Sequence, residues 1–112
     1  MATRASIIMK EEGKPMLAIY KHWDGYPSGL GEQLKTIINN GRLVNGLSSK
    51  DKIGEVFNGV GCMFASIIAI LKTQPGDVYI TSIDSVGQSG EEYIYEIDVV
   101  NDEVKLSHRE ND

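Results

Sequence analysis

Most of the side chains that could do chemistry fall in one ten-residue block, His22-Trp23-Asp24-Gly25-Tyr26-Pro27-Ser28-Gly29-Leu30-Gly31. It holds the single Trp and one of the two His residues of the 112-residue chain. His22 and Asp24 are two apart, so on a continuing strand they would point the same way and could act as an acid-base pair. Hydrolysis would also need a nucleophile or a metal, and a group that stabilises developing charge. The one thiol, Cys62, follows Asn58-Gly59-Val60-Gly61, where a helix start could activate it and make a Cys62-His22 dyad. The stronger reading of Cys62 is a small buried apolar residue at the head of a buried helix. With no full catalytic set, no residue is assigned to catalysis. Two His and one Cys without close spacing offer no metal cluster of the usual kind, so neither a metal nor a cofactor is expected.

Binding is the more natural chemistry for these residues. Trp23 and Tyr26 could stack on a flat ring. Trp23 could instead plug the interface between sheet and helix. Ser28-Gly29-Leu30-Gly31 and Asn58-Gly59-Val60-Gly61 could each cradle an anion through backbone N–H groups. Neither is a Walker A loop or a GxGxxG motif, and the glycines could equally allow close helix packing. Arg4, Lys21 and Arg42 are candidate phosphate partners, or solvated surface charges. The expected ligand set is Arg4, His22, Trp23, Asp24, Tyr26, Ser28, Gly29, Asn58, Gly59 and Gly61. Glu91-Glu92 reads as a solvated strand start, and Tyr93 and Tyr95 read as core.

These residues must be positioned by the elements around them. Residues 3–10 alternate, with Ala5, Ile7 and Met9 on one face, and predict a strand. Glu11 to Pro15 form a turn, and residues 16–23 a second strand completing a hairpin. Ser28 is a candidate N-cap for a helix over 29–40, whose apolar stripe is Leu30, Leu34, Ile37 and Ile38. Residues 42–47 read as a loop, and Ser48 or Ser49 as the cap of a second helix running through Ile53, Val56 and Phe57. The glycines of 58–61 interrupt it, and helix resumes over 62–72 with almost no polar face. So small a domain has little room to surround such a helix, which predicts a homo-oligomer through 62–72. Strands follow at 77–82, 91–100 and 103–108, separated by a Ser/Gly-rich loop at 83–90 and a two-residue turn at Asn101-Asp102. Residues 109–112 read as a frayed tail. The order ββ-αα-βββ predicts a two-layer α+β sandwich. It would have an antiparallel sheet of about five strands with helices on one face, in a single domain over 1–112.

A net charge of -5 argues against DNA or RNA as partner, since phosphate binding needs a positive stripe. One Cys excludes an intrachain disulfide and fits a reducing compartment. The start has no signal-peptide apolar region, and the most apolar run is too short for the roughly 20 residues of a membrane span. The expectation is a cytoplasmic protein with no membrane partner.

The segments Tyr20-Lys21-His22-Trp23-Asp24-Gly25-Tyr26-Pro27, Asn58-Gly59-Val60-Gly61-Cys62 and Gly90-Glu91-Glu92-Tyr93-Ile94-Tyr95-Glu96 carry a likeness, together with the start Met1-Ala2-Thr3-Arg4. The chain resembles a family of small, largely uncharacterised proteins common in tailed bacteriophages and prophages, over roughly positions 1 to 100. The resemblance implies a setting, the cytoplasm of an infected bacterium. Many accessory phage proteins of this size interfere with host defence, and some are oligomers that sequester nucleotide signals. By that analogy the expected function is sequestration of a small nucleotide-like ligand without turnover, an anti-defence sponge. The alternatives are a protein–protein inhibitor docking on a host enzyme, and a small enzyme acting on a nucleotide through His22 with Asp24 or Cys62.

Overall fold

The computed structural model describes residues 2–111. Strands β1 (Ala5–Glu11) and β2 (Lys14–Lys21) form a hairpin. Its turn places Glu12 and Gly13 at φ 50° and 77°. Opposite Met9 and Lys10 the register skips Met16, so the strand bulges beside Pro15, which has no N–H for the ladder. A π-helical turn (Pro27–Gly31) leads into helix α1 (Glu32–Asn40). Two short parallel strands, β3 (Arg42–Val44) and β4 (Val56–Asn58), precede helix α2 (Val60–Leu71). Strand β5 (Val78–Thr81), a short 3-10 turn (Ile83–Ser85), and the hairpin β6 (Tyr93–Val100) and β7 (Glu103–Glu110) complete the chain.

The architecture is α+β, a five-stranded sheet in the order β5-β2-β1-β6-β7 with a second, two-stranded sheet of β3 and β4. Period-two alternation builds the core face: Ala5, Ile7 and Met9 of β1 lie between Ile19 of β2 and Tyr95, Ile97 and Val99 of β6. Against it pack Leu30, Leu34 and Ile37 from the first helical segment and Met63, Phe64, Ile67 and Leu71 from α2. Both helical segments bury against this face.

Several expectations need correction. The sheet is not wholly antiparallel, because β1 and β6 run parallel. The chain re-enters at the start of β1, where Arg4 carbonyl accepts the Glu92 N–H at 2.8 Å, so β6 leaves in the same direction as β1. The helix expected from Ser48 does not form. Ser48 and Asp51 do make a cap-like turn, with Ser48 N–H donating to Asp51 Oδ2 at 2.7 Å. Gly54 at φ 86° then ends it, and the β-favouring Val56 and Phe57 are buried as strand while Ile53 is left 70% exposed. The expected loop at Arg42–Val44 is the partner strand β3. Nor does the tail fray through 111. β7 runs to Glu110, and Asn111 Nδ2 donates to Gly87 and Glu91 carbonyls at 3.1 and 3.0 Å; Asp112 lies outside the described residues. Helix α2 starts two residues before the predicted Cys62 and, as expected, has no polar face: its open side is the small apolar residues Gly61, Ala65 and Ala69, and its one polar side chain, Ser66, is buried.

Candidate functional site

The His22 block is placed by a residue just before the neighbouring edge strand, β5. Lys21, the last residue of β2, is buried, and its Nζ meets Asp77 Oδ2 at 2.6 Å. The other Asp77 oxygen accepts the Trp23 N–H at 3.0 Å, and the Asp77 carbonyl accepts the His22 N–H at 2.8 Å. Asp77 sits at φ 66°, in the left-handed region that Asp tolerates better than most residues. Burial pushes its carboxyl pKa up. The Lys21 and Trp23 bonds outweigh that and hold it below the ordinary value. Lys21 is therefore a structural cation already paired in the interior, not a phosphate partner.

Held this way, four rings make a continuous row. Tyr79 on β5 lies opposite Tyr20 on β2, their centroids 6.2 Å apart. Tyr20 hydroxyl and His22 Nδ1 share a hydrogen bond of 2.8 Å, and the His22 and Trp23 rings are nearly perpendicular with centroids 5.0 Å apart. Tyr79 is 51% and Trp23 42% exposed, so Trp23 does not plug the sheet–helix interface. Continuing the β1–β2 register, with Ala5 opposite Lys21, sets Arg4 across from His22. Arg4 is exposed and bonds the Ser89 carbonyl at 3.3 Å.

The loop under Arg4 is organised by Glu91, which is buried rather than solvated. Its carboxylate accepts Ser6 Oγ at 2.6 Å and the Gly87 and Ser89 N–H groups at 2.7 and 2.6 Å. Burial raises its pKa, but these donors together hold it below the usual carboxylate range. A depressed folded value means that its stabilisation is complete above the unfolded pKa, near 4.5, and is lost as pH falls through the lower folded value. Glu91→Gln should therefore lose about 1–3 kcal/mol at neutral pH. It should also flatten the acid limb of the urea midpoint plotted against pH; a limb as steep as wild type would assign acid sensitivity elsewhere.

The rest of the block turns away from the ring row. Asp24, at φ 59°, accepts a long 3.4 Å bond from Tyr26 hydroxyl and not a bond from His22, so no His22–Asp24 pair forms. The Ser28–Gly31 stretch offers no open anion cradle. Gly29 N–H is taken by Tyr26 carbonyl and Leu30 N–H by Asp24 carbonyl, both at 2.9 Å. Ser28 makes no capping bond; the residue before the π turn is Tyr26. Gly29 instead lies under the Tyr26 ring, whose Cε2 would be 2.7 Å from an added Cβ.

Asn58, Gly59 and Gly61 belong to the opposite end of the sheet. Gly59 lines a cleft of about 290 Å³ with Leu43, Val44 and Asp102, and Asn58 Oδ1 accepts the Gly46 N–H at 2.9 Å. Gly25 bonds the chain just before β1, whereas Asp102 adjoins Asn101, which bonds Glu12 just after it. Seven residues of strand, roughly 20 Å, separate the two ends. Cys62 lies in the first turn of α2 and faces Leu47, Asp51, Lys52 and Val56, so it makes no dyad with His22. A cleft of about 770 Å³ lies between α1, residues 53–55 and Ile70, and is lined by none of the expected site residues. Tyr20, Asp77 and Tyr79 were missed in the sequence. Tyr20 and Tyr79 alternate with apolar residues as core positions do, and Asp77 gains meaning only through Lys21. Among the described residues, no three His, Cys, Asp or Glu side chains gather as metal ligands, and no helix is long and apolar enough to cross a membrane.

Comparison with family models, curated proteins and solved structures gave no match to this chain, so the site is read from its own geometry.

Proposed function

We propose that this protein binds and sequesters a small nucleotide-like ligand without turning it over, as a phage-type sponge for a host immune signal. In this reading it works as a homo-oligomer in the cytoplasm of the infected bacterium. The observation that carries it is the ring row Tyr79–Tyr20–His22–Trp23, exposed at Tyr79 and Trp23 and half-buried between them, with Arg4 beside it. Exposed aromatic faces stack on bases, and a neighbouring guanidinium suits a phosphate. The His22–Tyr20 bond fixes the ring row without supplying a nucleophile. Of the expected ligand set, Arg4, His22 and Trp23 carry this reading.

Purified protein should show a raised melting temperature with one member of a panel of bacterial nucleotide signals, cyclic dinucleotides and cyclic ADP-ribose isomers included. Heat release and mass spectrometry should return that member intact. Trp23→Ala should weaken binding about ten- to a hundredfold, the worth of one stacked base, while the free protein melts close to wild type. Equal binding by Trp23→Ala would remove the ring row from the site. Ligand returned chemically altered would make the protein an enzyme.

One observation favours the protein–protein inhibitor reading. Met16, Tyr79, Ile80 and Ile83 are exposed around the β5 edge, an apolar surface of the kind that protein partners cover. A host protein retained on immobilised wild type, and lost with Tyr79→Asp and Ile80→Asp, would establish it.

A further inference from the structure

The geometry points to a second copy of this chain as the occupant of the β7 edge, joined antiparallel about a two-fold axis through Leu106 so that two five-stranded sheets become one of ten. This names a surface for the homo-oligomer of the proposed function and rests on that part of it alone.

β7 is the long free edge of the sheet. It has eight residues and an unbroken register with β6, and contains no Pro; the other edge, β5, has four residues. Natural edges are kept apart by short length, bulges, Pro or charge; β7 is neither short, bulged nor interrupted by Pro, and its charges, Glu103, Lys105, Arg109 and Glu110, are of both signs and can pair across an interface instead of only repelling. The direction of its free backbone groups follows from the turn. Asn101 and Asp102 have φ 51° and 64°, the pattern of a two-residue type I′ hairpin closed by the pair Val100 and Glu103. Such a closing pair exchanges both hydrogen bonds, and bonded pairs then alternate. Glu103, Lys105, Ser107 and Arg109 thus bond inward to β6, and Val104, Leu106 and His108 present N–H and C=O groups to the open edge.

The side chains select one register. A two-fold pairing must keep each face with its like, so only registers differing by two residues compete. Centred on Leu106, the pairing sets Glu103 opposite the partner's Arg109, Lys105 opposite the partner's Ser107, and Val104 opposite the partner's His108. By symmetry each pair occurs twice. Shifting the centre one way sets Lys105 against the partner's Lys105; shifting it the other way sets Lys105 against the partner's Arg109. Like charges directly opposite destabilise a sheet, whereas opposite charges stabilise it. The Leu106 register is the one of the three with complementary charge, and it brings Val104 and Leu106, both only half-buried in one chain, against the same residues' face in the other. The open face of α2 offers Gly61, Ala65 and Ala69, with little apolar area to bury.

Sedimentation equilibrium of the full chain at tens of micromolar should give twice the monomer mass. Glu103 and Arg109 are exposed, so their variants leave the fold intact. Glu103→Arg alone and Arg109→Glu alone should each weaken the dimer roughly tenfold, and the double swap should restore it. In hydrogen exchange, the Val104, Leu106 and His108 amides should become protected as concentration rises. A monomer at every concentration overturns the proposal. So does a dimer indifferent to both charge variants, and if Ala65→Arg dissolves that dimer the interface is α2. The ligand reading is judged by melting shift and this one by mass, so failure of either leaves the other standing.

Discussion

Asp77→Ala should remove about 3–5 kcal/mol of folding stability, a large share of the total for a domain of this size. The cause is what it leaves behind. Lys21 is only 6% exposed, and without the Asp77 carboxylate at 2.6 Å its ammonium is a buried charge with no counter-ion. The Trp23 N–H loses its acceptor as well. Asp77→Asn keeps a side chain that tolerates φ 66° and can still accept from Trp23, so it should cost less than Ala while still leaving Lys21 unbalanced. Replacing both partners, as Lys21→Met with Asp77→Ala, should recover much of the loss, because an apolar pair of similar volume avoids the desolvation of two charges. Urea midpoints of the four proteins test this. Equal stability of Asp77→Ala and wild type would mean that the ion pair is solvated in solution. The recovered double variant also separates stability from binding. It folds, but it lacks the carboxylate that anchors Trp23, so under the proposed function it should still bind a nucleotide-like ligand poorly.

The parts of this fold that were legible in the sequence are those set by local period. Ala5, Ile7 and Met9, and Tyr95, Ile97 and Val99, alternate as core strands do, and they form the core. The stripe of Leu30, Leu34, Ile37 and Ile38 was visible for the same reason; the first three are buried and Ile38, at its border, is half-buried. Pairing direction has no local period. The β1–β6 contact is parallel because Glu92 returns to Arg4, a meeting of residues 88 apart that neither neighbourhood encodes. Ser48 and Asp51 show the limit of capping signals: the cap forms, but Gly54 prevents the helix it announces. At the site, the sequence drew attention to His22 and Trp23 by rarity and spacing. Tyr20 and Tyr79 are ordinary strand residues, and Asp77 an ordinary loop residue before β5, until the β2–β5 register brings them beside that pair. Glu91 looked solvated because acidic pairs usually are; Ser6 and two backbone amides make it an interior anion.

Two glycines that look interchangeable in the sequence should respond in opposite ways. Gly25→Ala should cost about 4 kcal/mol. Its position does not need positive φ; the constraint is space. An added Cβ would lie 2.7 Å from Ala5 Cβ and 2.8 Å from the Thr3 carbonyl, both parts of the β1 start that cannot move alone. The same residue donates its N–H to Thr3 carbonyl at 2.8 Å and accepts Tyr95 hydroxyl at 2.6 Å. Tyr95 is fully buried, and burial pushes its pKa up to about 12, so displacing Gly25 would leave a neutral hydroxyl in the core without its acceptor. Gly61, by contrast, has nothing within 4 Å of an added Cβ and lies in the first turn of α2. Gly61→Ala should be neutral or should stabilise by up to roughly 1 kcal/mol, the helix preference of Ala over Gly. Thermal melts of both variants, with near-ultraviolet circular dichroism of Trp23 to report on the block, distinguish the roles. A sharp loss at Gly25 with a gain at Gly61 makes the first glycine a clamp between the His22 block and the two central strands. Equal, mild effects at both would mean that the block is held by its side chains alone, with Asp77 as the anchor.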